Sequence, residues 1–420
     1  MTTTIKTFKS TDPGAPVISN NWGDLVAALD ACLVTGYGLK MIDSITLSGT
    51  TATASISTGQ SFTVGQVLVV AGATQAAYNG EHPVTAVTAN SFSYEVTGSP
   101  ASPASSATSL TAKVAPLDFE KVFAGTHKGV YRSKNVLSNR PYLRVDNSLD
   151  PAYPTSYCKF ARVTMAESMT DADTFAGARA PFNPLFPTRN EVGEGSGDEA
   201  YVGWYKWVQA GNGSSDHGPG ARNWVLIGDD RGFYFALCPG LGTTYLAPNN
   251  RAIYAFGDFT SYKSGDGFDA LLCATEHYAT AGTQRGNPWD NTLFETSNSF
   301  VGKVVMRDYS QVGNPVRVGF LGLNLNNVEI ASGRTSPIPF PNGPDFSLLL
   351  HPQYIRQENG HLRGTLPGAY QVCQRQPYPD MTVVDNVVGY PGRKFLLVSG
   401  YNDGNADFSL TAFDITGPWR

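Results

Sequence analysis

The chain has 420 residues, 41% hydrophobic and 11% aromatic, which is enough apolar material for two or three cored domains and excludes a disordered chain. Charged residues make up 15%, well under the average for globular domains, and the net charge is −5 with no basic block, which excludes a nucleic-acid footprint. With 44 glycines and 27 prolines, the composition suits an all-β protein with many turns and a surface that packs on other subunits.

Five cysteines (Cys32, Cys158, Cys238, Cys273 and Cys373) are spread without any C-x-x-C pair. This argues against a disulfide framework or a zinc knuckle, and reads as buried small hydrophobes in a chain made in a reducing cytoplasm. The opening stretch, residues 1–16, lacks an apolar run, so no secretory leader is expected. No run of about eighteen apolar residues occurs, so no spanning helix and a soluble protein are expected.

Residues 1–18 read as an extended arm, with Ile5 and Phe8 ready to pair with the main body or with a neighbouring chain. A helix follows. Ser19, Asn20 or Asn21 can cap it, and Trp22, Leu25, Val26, Leu29, Cys32 and Leu33 recur at spacings of three and four. Gly36-Tyr37-Gly38 ends it. The stripe of Trp22, Leu25, Val26, Leu29 and Leu33 has two readings: an assembly helix that packs on a partner, or a helix packed on its own β-domain.

Residues 42–115 alternate apolar side chains with Thr, Ser and Gly, from Ile45 and Leu47 to Phe92, Tyr94 and Val96, with turn signals at short intervals. That is the pattern of a small β-sandwich or barrel. Gly98–Ser106 reads as an exposed loop, with Leu110–Val114 as the returning strand. Within this unit Gly72–Val96, with Tyr78-Asn79-Gly80, Val84-Thr85-x-Val87 and Phe92-x-Tyr94, resembles the small β-modules of tail proteins from tailed bacteriophages. Lys9–Gly38 is similar to the opening of the same kind of phage structural protein, in which an early helix leads into the module. Arg363-Gly364-x-Leu366-Pro367-Gly368-Ala369-Tyr370 and Gly392–Val398 look like the C-terminal part of phage tail-tip proteins.

Residues 116–200 contain strand signals at Phe119–Thr126, Val130–Ser133, Arg140–Asp146 and Cys158–Ala166, then a Pro/Gly-rich and acidic excursion. Tyr201–Val208 reads as a strand with Tyr205 and Trp207 on one face and Trp204 and Lys206 on the other. Four aromatic-rich runs follow, at Trp224–Ile227, Phe233–Cys238, Ala252–Gly257 and Phe268–Cys273. Gly/Asp clusters bound them, so they read as two successive hairpins. Val301–Tyr309 with Pro315–Leu325, the Asn359-Gly360 turn, Phe346–Leu350, Tyr370–Cys373, Phe395–Ser399 and Phe408–Asp414 complete the domain. The fold class is therefore mainly β: a small N-terminal sandwich-like module, a large antiparallel β-sandwich domain and one short N-terminal helix.

Asp229-Asp230 and Asp266 read as turn residues, because adjacent carboxylates in a connection do not make a glycosidase couple. Asn402–Asp407 lacks the terminal glutamate of a calcium loop and reads as a turn. The six histidines show no metal-ligand spacing, and neither a nucleophile elbow nor a phosphate loop is present, so no metal, no cofactor and no enzymatic activity are expected. Trp204, Tyr205 and Trp207 are the candidate carbohydrate or receptor platform, against the alternative that they are core.

The resemblance implies a virion structural protein of a phage tail tip, baseplate or tail fibre. Residues 1–41 would attach it to the tail, 42–115 would be a spacer or docking module, and 116–420 would be the outer β-body. Partners would be copies of itself, as a trimer or a hexamer, other tail or baseplate proteins and a host surface receptor. The alternatives are a receptor-binding adhesin for host polysaccharide or pilus, and a polysaccharide depolymerase.

Overall fold

A computed structural model describes residues 4–149, 155, 159–180, 205–211, 218–241, 251–276, 278–280, 283–285, 302–321, 324–325, 328–329, 338–374, 378–400 and 410–420. The chain is mainly antiparallel β-structure with one short α-helix near its N-terminus, in agreement with the fold class read from the sequence. Among the described residues no helix is long and apolar enough to cross a membrane.

The four aromatic-rich runs form one meander. Trp224–Asp229 pairs with Gly232–Leu237, which pairs with Ala252–Asp258, which pairs with Ala270–Cys273. They open a 13-stranded sheet that continues through Lys303–Val305, Val316–Leu321, Leu350–Gln357 and Leu362–Val372 to Leu410–Asp414 and Lys394–Ser399. This sheet doubles back on itself. Val225, Ile227, Tyr234, Ala236, Ile253 and Leu271 pack against Val318, Ile355, Leu366, Leu396, Val398 and Phe413 from its second half.

The other face of the meander carries Trp224, Leu226, Phe233, Phe235, Tyr254 and Phe256. It packs on a 7-stranded sheet that supplies Phe119, Tyr131, Leu143, Val163, Met165 and Trp207. The meander is therefore the middle of three layers, which is why its strands are apolar at consecutive positions instead of alternating. The turn between its first two strands is closed by Asp229, whose Oδ1 accepts from the backbone N–H groups of Arg231 and Gly232 at 2.9 Å each. Gly257, at φ +128°, completes the tight approach, since a Cβ there would lie 2.3 Å from the Cα of Gly232.

The N-terminal arm resolves in favour of the main body. Lys6–Lys9 pairs antiparallel with Trp224–Asp229, burying Ile5 and Phe8 on opposite faces. The helix differs from the sequence reading in two ways. It spans Asp24–Leu29 and passes into a π-helical turn, Asp30–Thr35, and none of Ser19, Asn20 or Asn21 caps it. Gly23 holds the N-cap position, and the free N–H groups of Gly23 and Leu25 donate to Oδ1 of Asn147, at 2.8 and 3.2 Å. A side chain more than a hundred residues away thus satisfies the donors that local capping normally serves.

The stripe is corrected as well. Leu25, Val26, Leu29 and Leu33 are buried in the chain's own core, and Trp22 lies half-buried under the ammonium of Lys159. An apolar stripe already covered by Tyr131, Leu117 and their neighbours offers nothing to a partner, so the assembly-helix reading gives way to the packing one.

The small module forms its own 7-stranded sheet, in the strand order Tyr37–Met41, Ser106–Val114, Val67–Ala73, Gly80–Thr88, Ser91–Glu95, Thr51–Ser55, Ser44–Ser48. Gly80–Thr88 pairs with one neighbour through its first half and with the other through its second, so the sheet curls around Ile45, Ala54, Phe62, Leu68, Phe92 and Tyr94. Phe62 meets Phe92 edge-on at 5.5 Å, and the Tyr94 hydroxyl donates to the Tyr78 carbonyl at 3.2 Å. Cys32, Cys238, Cys273 and Cys373 are buried; Cys158 lies outside the described residues.

Candidate functional site

The middle layer ends in charge. Where Ala252–Asp258 leaves the sheet and Ala270–Cys273 re-enters it, the acids Asp229, Asp230, Asp258, Asp266 and Asp269 meet the guanidiniums of Arg231, Arg363 and Arg420. Asp258 is buried, accepting from Nε of Arg231 at 2.9 Å and from the Ser138 hydroxyl at 3.1 Å. Arg420 reaches from the C-terminal segment to Asp229 Oδ2 and the Asp258 carbonyl. Asp266 takes Nε and Nη2 of Arg363 at 3.0 and 2.7 Å, the Ser261 hydroxyl at 2.7 Å and the Gln311 amide at 3.1 Å. The Arg363 and Asp266 side chains are each 1% exposed.

Asp269 differs from the others. It accepts from Nδ2 of Asn139, and no cation lies within ion-pair distance of it among the described residues. Burial first, then the charges of Asp258 and Asp266, push its carboxyl up to about 7, against the opposing pull of Arg231 and Arg420. Asp258 is raised by burial despite its arginines, and Asp230 by burial and by Asp229. An open cavity of about 280 Å³ lies over the cluster, lined by Arg231, Ser261, Lys263, Asp266, Asp269 and Arg420 among others. A second cavity, of about 150 Å³, lies on the far side of the Gly267–Ala270 segment, against Asn139, Glu167 and Met306. Glu167 is occupied there by a two-point pair with Arg307.

The arrangement offers a ligand a carboxyl that can donate or accept near neutral pH, the hydroxyl of Thr260 and an exposed ammonium from Lys263. It suits polar, hydroxylated molecules. Among the described residues no group of three or more His, Cys, Asp or Glu side chains is placed to hold a metal ion.

Of the platform drawn from the sequence, Tyr205 and Trp207 are not on the surface. Trp207 is 0% exposed, its indole N–H donates to the Cys273 carbonyl at 3.1 Å, and its ring stacks on Tyr254 at 5.7 Å. Tyr205 is buried beside it, so neither ring has a face for a sugar; Trp204 lies outside the described residues, as does the Asn402–Asp407 loop. Both faces of Tyr205–Ala210 are covered, and even Lys206 is buried, with its ammonium 4.7 Å from the Phe160 ring. Asp229 and Asp266 act as turn residues as expected, but the same geometry also brings Asp266 to a charged cavity and Asp229 to Arg420 at its edge. Asp269, Arg363 and Arg420 were missed because their partners lie about a hundred or more residues away in sequence.

No family model matches the sequence. No curated protein matches it. Among solved structures, the chain is similar to the endosialidase of phage phi92, at 12% identity, over 91% of this chain and 71% of that one, with a TM-score of 0.18. A likeness at that level says nothing about the site. The expectation of a chain without enzymatic activity does not stand: it reached no further than the motifs it tested, and the matched protein is by name an enzyme.

Proposed function

We propose that this chain is a component of a bacteriophage tail whose β-body binds a saccharide of the host surface in the cavity beside Asp269. The tail assignment is supported by the resemblance of Lys9–Gly38 and Gly72–Val96 to phage tail proteins. The observation that carries the binding role is the cavity itself: about 280 Å³, open, and lined by a half-buried acid, hydroxyls and a lysine. The module at 42–115 serves as the docking unit toward other tail proteins, and the chain assembles as a homo-oligomer, a trimer before a hexameric ring.

A second reading has its own support. A carboxyl that keeps its proton up to about 7 is what a general acid for glycosidic cleavage needs, so the bound saccharide is also a candidate substrate. One experiment addresses both. Purified protein, wild type and Asp269→Asn, is incubated with host surface polysaccharide, and retention and chain length are measured. Retention weakened by Asp269→Asn supports the site; shortening of the chains by wild type alone supports hydrolysis. Equal retention by both proteins refutes the cavity as the binding site.

A further inference from the structure

The short strand Thr260–Ser261 lies along one side of Leu362–Val372, and Leu350–Gln357 runs along the other. The registers Thr260↔Thr365 and Tyr354↔Thr365 place these three residues in one row across three strands. Side chains alternate along a strand, so Tyr262 emerges on the same face as Thr260; its N–H donates to the Arg363 carbonyl at 2.9 Å and extends the ladder by one step. Gly364 permits this approach, since a Cβ there would lie 2.1 Å from the Thr260 carbonyl oxygen.

The opposite face of these strands already supplies the core through Ile355, Leu366 and Ala369. The outer aromatics are therefore not needed for packing. Tyr262 is 55% exposed, and Tyr354 is half-exposed with its ring edge-on to His351 at 5.5 Å. Burial first, then Tyr354, raise the Tyr262 phenol, and among the described residues no side-chain hydrogen bond engages the Tyr262 hydroxyl. Thr260 also lines the cavity beside Asp269, together with Ser261 and Lys263, so the row runs into it.

We infer that the face formed by Tyr262, Tyr354, Thr260 and Thr365 is a platform for a saccharide chain, one pyranose ring lying on the tyrosines while the next enters the cavity. The apolar C–H face of a pyranose matches an open ring face, and its hydroxyl edge matches the phenol and threonine hydroxyls on either side. In naming its ligand, this inference rests on the saccharide reading of the cavity.

A bacterial-glycan array probed with the purified full chain tests it, using wild type, Tyr262→Ala, Tyr262→Phe, Tyr262→Trp and Asp269→Asn. Wild type is expected to retain at least one saccharide, and Tyr262→Ala to weaken retention by about tenfold or more. Tyr262→Phe and Tyr262→Trp, which keep a ring face, are expected to stay within about threefold of wild type. Tyr262 is exposed, so melting curves of all four variants at this row and cavity should show folded protein. Retention by Tyr262→Ala equal to wild type, with loss in Asp269→Asn, overturns the platform and spares the cavity. No saccharide retained by wild type, or capture of protein partners alone, overturns both.

Discussion

The strand Gly232–Leu237 and the segment Asp258–Asp269 belong to one meander, yet the physics that holds each is different. Every side chain of Gly232–Leu237 is buried, and both faces are apolar or aromatic: Phe233 and Phe235 toward the 7-stranded sheet, Tyr234 and Ala236 toward the second half of its own sheet. Beyond the backbone ladder its polar demand is met by the Tyr234 hydroxyl, which donates to the Pro367 carbonyl at 2.7 Å. Asp258–Asp269 carries three acids within a dozen residues and is held by arginines from distant parts of the chain. Apolar packing tolerates many partners, whereas a buried carboxylate needs a particular one. The meander therefore serves as scaffold at its centre and can serve as a site only at its end.

The largest expected effect lies at the centre. Trp207→Ala removes a ring that meets Phe233, Phe235 and Tyr254 and the hydrogen bond it donates to the Cys273 carbonyl, and it should cost about 3–5 kcal/mol by chemical denaturation. A cost below about 1 kcal/mol would mean the ring is not in the core and would reopen it as a surface platform. At the end of the meander, Arg363→Ala leaves Asp266 buried without its cation and should cost about 3 kcal/mol, with Arg363→Met plus Asp266→Leu recovering part of it. If the double variant is no better than the single, the contrast between packing and pairing fails.

How much of this was legible depended on the range of the interactions. The meander strands could be read because Gly228–Gly232 and Ser264–Gly267 bound apolar runs locally, and turn chemistry acts over a few residues. That Trp207 is buried could be read only as an alternative, because alternation along Tyr205–Ala210 gives no face when a layer covers each side. The helix start was misplaced because its cap, Asn147, comes from the turn after Tyr142–Asp146. Asp269 had no local signal beyond the nearby Asp266. Its neighbours Asp258 and Arg231 come from elsewhere in the meander, Arg420 from the far end of the chain, and its hydrogen-bond donor is Asn139.

Next in size is the pH response of that end. The folded-state value of Asp269 is raised from 3.8 to about 7, so the folded protein holds this proton more tightly than the unfolded chain does. Its contribution is fully present below the unfolded value and is lost as pH rises through about 7. Asp258 and Asp230, also raised, act in the same sense. Acids held low by partners, such as Asp146 beside Arg162 and Arg144, act below that window. The urea midpoint should therefore fall from about pH 4 to about pH 7 and then level off, and Asp269→Asn should flatten the slope. A slope unchanged in Asp269→Asn would show that this carboxyl is not the one retaining the proton.

The smallest effects compare a buried polar contact with an exposed one. Asn147 is 0% exposed; its Oδ1 takes two helix N–H groups and its Nδ2 donates to the Phe160 carbonyl at 3.2 Å. Asn147→Ala removes the acceptor of the two helix N–H groups in a site closed to water, so a loss of about 1–2 kcal/mol is expected. Asn147→Asp keeps the two acceptor contacts but sets a carboxylate oxygen against the Phe160 carbonyl, and should recover only part of the loss. The pair of Lys134 with Asp118, at 2.8 Å, is shorter than several of these contacts, but its side chains are 48% and 58% exposed. Water replaces either partner there, and Lys134→Ala should change stability by under about 0.5 kcal/mol. If the two substitutions cost the same, exposure is not what separates them, and the distinction between the interior and the charged rim of this protein would have to rest on something other than access to water.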